Sequence, residues 1–92
     1  MSFIAVEGQN KGAIMLFALS TCVWCRKTKD LLNELGVAYS YTDVDKLSGD
    51  ARKIVMDEIK KYNPACSFPT LVLNETKCIV GFQEDEIKES LK

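Results

Sequence analysis

Apolar and polar positions follow two rhythms along this chain, and the change from one to the other marks its elements. AIMLFAL (13–19) is a nearly continuous apolar run, of the length of a strand and apolar enough to be buried on both faces. Ahead of it, FIAVE (3–7) and the turn-like GQNKG (8–12) read as the first arm of a hairpin. From Val23 to Leu35 the period lengthens to that of a helix. Cys25, Thr28, Leu32 and Leu35 share one face, Arg26, Lys27 and Lys29 fall elsewhere, and Gly36 stands where such a helix stops. VAYSYTDVD (37–45) alternates again and predicts a second strand. Residues 48–62 predict a second helix, with Ser48 as cap and Ala51, Val55, Ile59 and Tyr62 along its inner side. PACSFP (64–69) is a proline-bounded loop. TLVLN and CIVGF read as strands joined by a tight turn. EDEIKESLK closes as a helix with acids in its first turn and lysine in its last.

A strand–helix–strand opening implies a right-handed parallel crossover, and the hairpin that follows joins the same sheet. The expected class is therefore α/β, a four-stranded mixed sheet flanked by helices, with an extra N-terminal strand if FIAVE pairs. At 92 residues this is one domain, residues 1–92, with no room for a second core. The net charge of −1, with the signs interspersed, advertises neither nucleic acid nor an anionic membrane as partner. No apolar run is long enough to span a bilayer, and MSFIAVEGQNKG lacks the basic-then-apolar pattern of a signal peptide. Those features point to the cytoplasm. In that reducing compartment, four cysteines suggest catalysis or metal binding before a disulfide framework.

The chemistry concentrates in STCVWCRK (20–27), where the first strand gives way to the first helix. A cysteine at a helix N-terminus faces unpaired amides and the positive end of the dipole, which favour its thiolate. Cys22 holds that place, and Arg26 and Lys27 add positive field. Cys25 lies one turn along the same face, within reach of a disulfide. The pattern suits a two-step exchange in which Cys22 attacks and Cys25 resolves the mixed disulfide. The competing reading is a metal clip. Cys22, Cys25, Cys66 and Cys78 do not follow zinc-knuckle spacing, and the chain has no histidine to complete a site. No metal site is expected. A carrier of metal or an iron–sulfur cluster on the same cysteines, and a redox sensor, stand as alternative functions.

Other residues divide between chemistry and packing. Trp24, between the cysteines, should project toward solvent as a substrate platform. Cys66 falls three residues before Pro69 and reads as a small buried hydrophobe, with a role near Cys22 as the alternative. Cys78 reads as structural. Phe17, Tyr39 and Tyr41 are expected to pack on strands, and Lys27, Lys29, Lys60 and Lys61 to lie on solvated faces. Phe68-Pro69 precedes a strand, where a cis bond would present the Phe68 backbone to an extended substrate.

With its CxxC at a strand-to-helix junction, a proline before the third strand and Gly81-Phe82 after the fourth, the sequence resembles the glutaredoxin family of the thioredoxin fold, from about Ala13 to Leu91. The resemblance implies a thiol–disulfide oxidoreductase acting on protein disulfides, with Cys22 the nucleophile, Cys25 the resolving thiol and Pro69 a cis-proline. It also implies that Trp24, Phe68, Pro69, Gly81 and Phe82 border the substrate groove. The family's usual Pro-Tyr between the cysteines is Val23-Trp24 here. Its lysine three residues before the first cysteine is Leu19, its Thr-Val before the cis-proline is Ser67-Phe68, and its Gly-Gly-x-Asp turn is Gly81-Phe82-Gln83-Glu84. Losing that lysine removes ~1.5–3 kcal/mol of charge-assisted bonding to a glutathione carboxylate. The Gly-Phe turn is similar to that of the glutaredoxin-like hydrogen donors of ribonucleotide reductase, which draw on thioredoxin reductase. The expectation is a monomer without a tightly bound cofactor. Its electrons come from an external reductase of the thioredoxin-reductase type, flavin- or ferredoxin-dependent, or from glutathione.

Overall fold

The computed structural model describes residues 3–92. Met1 and Ser2, at the head of the segment read for a targeting signal, lie outside the described residues. Five strands form one sheet: β1 (Ile4–Val6), β2 (Ile14–Ala18), β3 (Tyr39–Asp43), β4 (Thr70–Leu73) and β5 (Lys77–Val80), in the order β1-β3-β2-β4-β5. Three helices flank it: α1 (Val23–Leu35), α2 (Gly49–Tyr62) and α3 (Glu84–Ser90), with a 3-10 turn at Val44–Lys46. Among these strands only β2 and β3 run parallel; the other pairs are antiparallel. No described helix is long and apolar enough to cross a membrane.

The central strand explains the layering. Along β2, Ile14, Leu16 and Ala18 face a core shared with Leu31 and Leu32 of α1 and Ile87 of α3. Phe17 faces the opposite side, with Val55 and Ile59 of α2. The same period of two divides β4, with Leu71 and Leu73 on the first side and Val72 on the second. The apolar run at 13–19 is thus a strand covered on both faces, as its composition predicts.

Two expectations need correction. FIAVE does not form a hairpin with β2; its strand, β1, pairs antiparallel with β3, Ile4 opposite Tyr41 and Val6 opposite Tyr39. The crossover places β3 on one edge of β2 and β4 takes the other, so the only neighbour left for β1 on that side is the outer edge of β3. The sheet thus gains the extra N-terminal strand, five in all. Ser48 occupies the cap position of α2 but makes no capping hydrogen bond. With Gly49 at φ 58°, the chain reaches the helix along a path on which the Ser48 hydroxyl meets no amide. Gly36 does stop α1: at φ 70° it takes the left-handed conformation that glycine tolerates, and its N–H donates to the Asn33 carbonyl at 3.1 Å.

Leu32 is fully buried on the face of α1 that carries Cys25. Leu32→Ala is expected to cost about 2–5 kcal/mol of folding stability. Chemical denaturation should show a lower midpoint with an unchanged slope.

Candidate active site

Cys22 is the N-cap residue of α1. Its N–H donates to the Leu19 carbonyl at 3.2 Å, its carbonyl accepts from the Arg26 N–H at 3.1 Å, and its Sγ accepts the Cys25 N–H at 3.2 Å. The first turn of α1 carries no acidic side chain, so nothing in that turn opposes negative charge on this sulfur. Cys25 contrasts with it. Its side chain is fully buried, and burial pushes its thiol up to about 12, with the hydrogen bond to Cys22 adding to the rise. One helical turn therefore holds a half-buried sulfur that accepts a backbone N–H and a buried one that keeps its proton.

The second component is the loop before β4. The Phe68–Pro69 peptide is cis, and the loop is held from beneath by a residue the sequence reading passed over. Asn63, buried at the end of α2, donates through Nδ2 to the Ser67 carbonyl (3.3 Å), Ser67 Oγ (3.1 Å) and Thr70 Oγ1 (3.0 Å). The Thr70 hydroxyl donates in turn to the Ser67 carbonyl at 2.7 Å. On the far side, the Gly81 N–H donates to the Pro69 carbonyl at 2.8 Å, with Gly81 at φ 81°. These bonds bring the predicted residues together: Trp24, Phe68, Pro69, Gly81 and Phe82 line one groove of about 210 Å³. Trp24 is 55% exposed, and its ring stacks on Phe82 with centroids 5.9 Å apart. Lys27 Nζ lies 4.9 Å from the Trp24 centroid.

Cys22 also lines a larger recess of about 520 Å³, with Leu19, Ser20, Arg26, Lys29 and Tyr41 among its walls. This recess was not read from the sequence. Lys29, expected on a solvated face, is only 22% exposed; its Nζ lies 2.9 Å from Asp43 Oδ1 and 4.2 Å from the Tyr41 ring centroid. The correction has a local cause. Lys29 lies on the side of α1 that meets the end of β3, and its position one turn beyond Cys25 was the available signal. Ser20, in the loop before Cys22, donates its N–H (2.8 Å) and its hydroxyl to Asp45 of the 3-10 turn. Those bonds hold the Asp45 carboxyl below its usual range.

The remaining cysteines lie apart in the fold. Cys66 packs with the core on the α2 side, and Cys78 sits on β5 opposite Val72. Among the described residues no three His, Cys, Asp or Glu side chains gather as metal ligands would.

A glutaredoxin family model matches residues 14–78, a span that includes both Cys22 and Cys25 and reaches past Pro69. The chain belongs to the glutaredoxin family. It is similar to the methanoredoxin of Methanosarcina acetivorans, 46% identical with a TM-score of 0.89 over 91% of this chain and 88% of that one. A glutaredoxin from Methanosarcina mazei Go1 is 46% identical, with a TM-score of 0.90 over 99% and 88% of the two chains. A glutaredoxin from Archaeoglobus fulgidus is 30% identical, with a TM-score of 0.80 over 86% and 85%. The protein is thus a glutaredoxin-like dithiol oxidoreductase with the thioredoxin/glutaredoxin fold. In this glutaredoxin Leu19, which replaces the usual lysine, packs its side chain against the α2-side core.

Two outcomes follow from the supports of the site. Asn63→Ala leaves the Ser67 and Thr70 oxygens short of a donor, and a cost of about 1–3 kcal/mol is expected in thermal or chemical denaturation. The Asp45 carboxyl titrates lower folded than unfolded. Its contribution to stability is therefore present above the unfolded carboxylate range and fades as pH falls through the folded value. Ser20→Ala should raise the Asp45 midpoint in an NMR carboxyl titration and flatten that acid-side dependence. An unmoved midpoint would show that the Ser20 hydroxyl is not its cause.

Proposed function

We propose that the protein reduces disulfides in protein substrates by a two-cysteine exchange, with Cys22 attacking and Cys25 resolving. The observation that carries this reading is the asymmetry of the two sulfurs at the start of α1. Cys22 Sγ receives a backbone N–H at the positive end of the helix, whereas Cys25 is fully buried and its thiol raised to about 12. Attack by the Cys22 thiolate breaks the substrate disulfide, releases one substrate thiolate and leaves the other substrate sulfur bonded to Cys22. Cys25 then displaces that sulfur and closes the Cys22–Cys25 disulfide, so two electrons pass from the dithiol to the substrate.

The groove walled by Trp24, Phe68, Pro69, Gly81 and Phe82 is the seat for an extended segment of the substrate beside its disulfide. The stacked Trp24 and Phe82 rings supply apolar contact area. An external disulfide reductase of the thioredoxin-reductase type restores the dithiol. Two features favour that donor over glutathione. Leu19 offers no cation to a glutathione carboxylate, and Glu84, Asp85 and Glu86 crowd negative charge into the first turn of α3, next to the groove. The working form is a monomer in the reducing cytoplasm, where the dithiol is the resting state.

Steady-state disulfide reduction with purified protein tests the reading, comparing glutathione plus glutathione reductase with NADPH plus thioredoxin reductase. Turnover is expected with the thioredoxin reductase; turnover with glutathione alone would overturn the assignment of the donor. Cys22→Ser should abolish turnover, and Cys25→Ser should accumulate a mixed disulfide visible by mass spectrometry. Reductase activity surviving in Cys22→Ser would overturn the mechanism itself.

A further inference from the structure

The pair formed by Lys29 and Asp43 is the most deeply set ion pair among the described residues, its side chains 22% and 14% exposed. Its place in the fold gives it meaning beyond tying α1 to β3. Asp43 ends β3 in register with Ala18, the last residue of β2, from which the chain passes directly into the loop to Cys22. Lys29 follows Cys25 by one helical turn, and its side chain lines the same recess as Cys22. A lysine ammonium on a free stem samples many positions; this one is held between a carboxylate at 2.9 Å and the face of Tyr41 at 4.2 Å.

We propose that Lys29, clamped by Asp43 and Tyr41, is a positioning residue for the resolving step: its fixed positive charge favours the Cys25 thiolate that displaces substrate from Cys22. The inference rests on the two-cysteine reading above. In the step itself the Cys25 Sγ proton passes to water and the sulfur lone pair attacks Cys22 Sγ. The bond between Cys22 and the substrate sulfur breaks, and that sulfur leaves with the electron pair and takes a proton from water. The Cys22–Cys25 bond forms in the same displacement.

A buried thiol is the wrong protonation state for this displacement, and a nearby cation opposes the cost of ionising it. Lys29 acts on Cys25 in that sense, against the larger effects of burial and of the bond to Cys22. The other ionisable groups around this corner are few. Cys22, Arg26 and Asp30 stand on α1, and Tyr39, Tyr41 and Asp43 on β3. Asp45 in the 3-10 turn is engaged by Ser20. From α3, Glu84 faces a separate recess shared with Lys27, Asp30 and Glu34. Of the two cations on the Cys22 recess, Arg26 is exposed and without an ion pair among the described residues, whereas Lys29 is the one fixed in place.

The test is stopped-flow reaction of the reduced full-length protein with dithiobis(nitrobenzoate), whose released thiolate is coloured. Attack by Cys22 releases one equivalent, and resolution by Cys25 releases the second in a phase that Cys25→Ser removes. Lys29→Met is expected to slow the second phase about tenfold near neutral pH and to move its alkaline midpoint up, with the first phase changed less than the second. Lys29→Arg should recover most of the rate. Lys29→Gln, which can still donate to Asp43, repeats the measurement without the charge should Lys29→Met fail to fold. A folded Lys29→Met or Lys29→Gln with the wild-type rate and midpoint overturns the proposal. So does loss of rate with an unmoved midpoint, which marks a structural role. Failure of the two-cysteine reading is distinct: the wild-type protein would then show no second phase dependent on Cys25, and both conclusions would fall together.

Discussion

The Cys25 amide reaches the Cys22 sulfur at 3.2 Å because β2 ends at Ala18 and α1 begins at Val23, leaving only residues 19–22 to turn the chain. That turn is imposed from both sides. β2 is covered on both faces and flanked by β3 and β4, so it ends where its cover ends. The crossover to parallel β3 then runs through the helix that starts there. The first amides of that helix have no partners within it, and Cys22 is the residue set at their open end. The same turn sends Cys25 inward. A single geometric constraint thus separates two chemically identical side chains into one that accepts a backbone N–H and one that burial keeps protonated.

The rest of the site is assembled around this start from distant parts of the chain. Asn63 fastens the Ser67–Thr70 segment and Gly81 receives it from the other side. Trp24 and Phe82 stack across the resulting groove. Ser20 anchors the turn to Asp45, and Lys29 joins α1 to the end of β3 through Asp43. Cys22 consequently stands at a larger, more polar recess on the β3 side of α1, while Trp24 in the first turn of the helix walls a smaller groove with Phe68, Pro69, Gly81 and Phe82. The two sides differ in what they offer: stacked aromatic rings on one, and a fixed ion pair near the dithiol on the other.

Departures from the family pattern fall both between the cysteines, where Val23-Trp24 replaces Pro-Tyr, and around the rim of the site. Leu19 contributes apolar packing where the family usually has a cation, and the turn after β5 offers Phe82 and then a run of acids. The two cysteines keep their spacing, and the peptide before Pro69 is cis.

The features legible from the chain alone are those carried by short-range spacing. The period of α1, the stop at Gly36, the doubly covered run at 13–19 and the place of Cys22 and Cys25 all follow from residues within a turn or two of one another. Trp24 was legible from its place between the cysteines and Phe68-Pro69 from its place before a strand, whereas Gly81 and Phe82 joined them only through family resemblance, since no local pattern links positions so far apart. Tertiary structure decided the remainder. It set β1 against β3 because β2 had no free edge, turned Asn63 from a helix end into the anchor of the proline loop, and drew Lys29 out of solvent onto Asp43 and Tyr41. In each case the partner is a strand edge, a loop or a carboxylate that comes near only when the sheet is assembled. Hydrophobic period reports which face of an element is buried; it does not report which polar groups will meet at its ends.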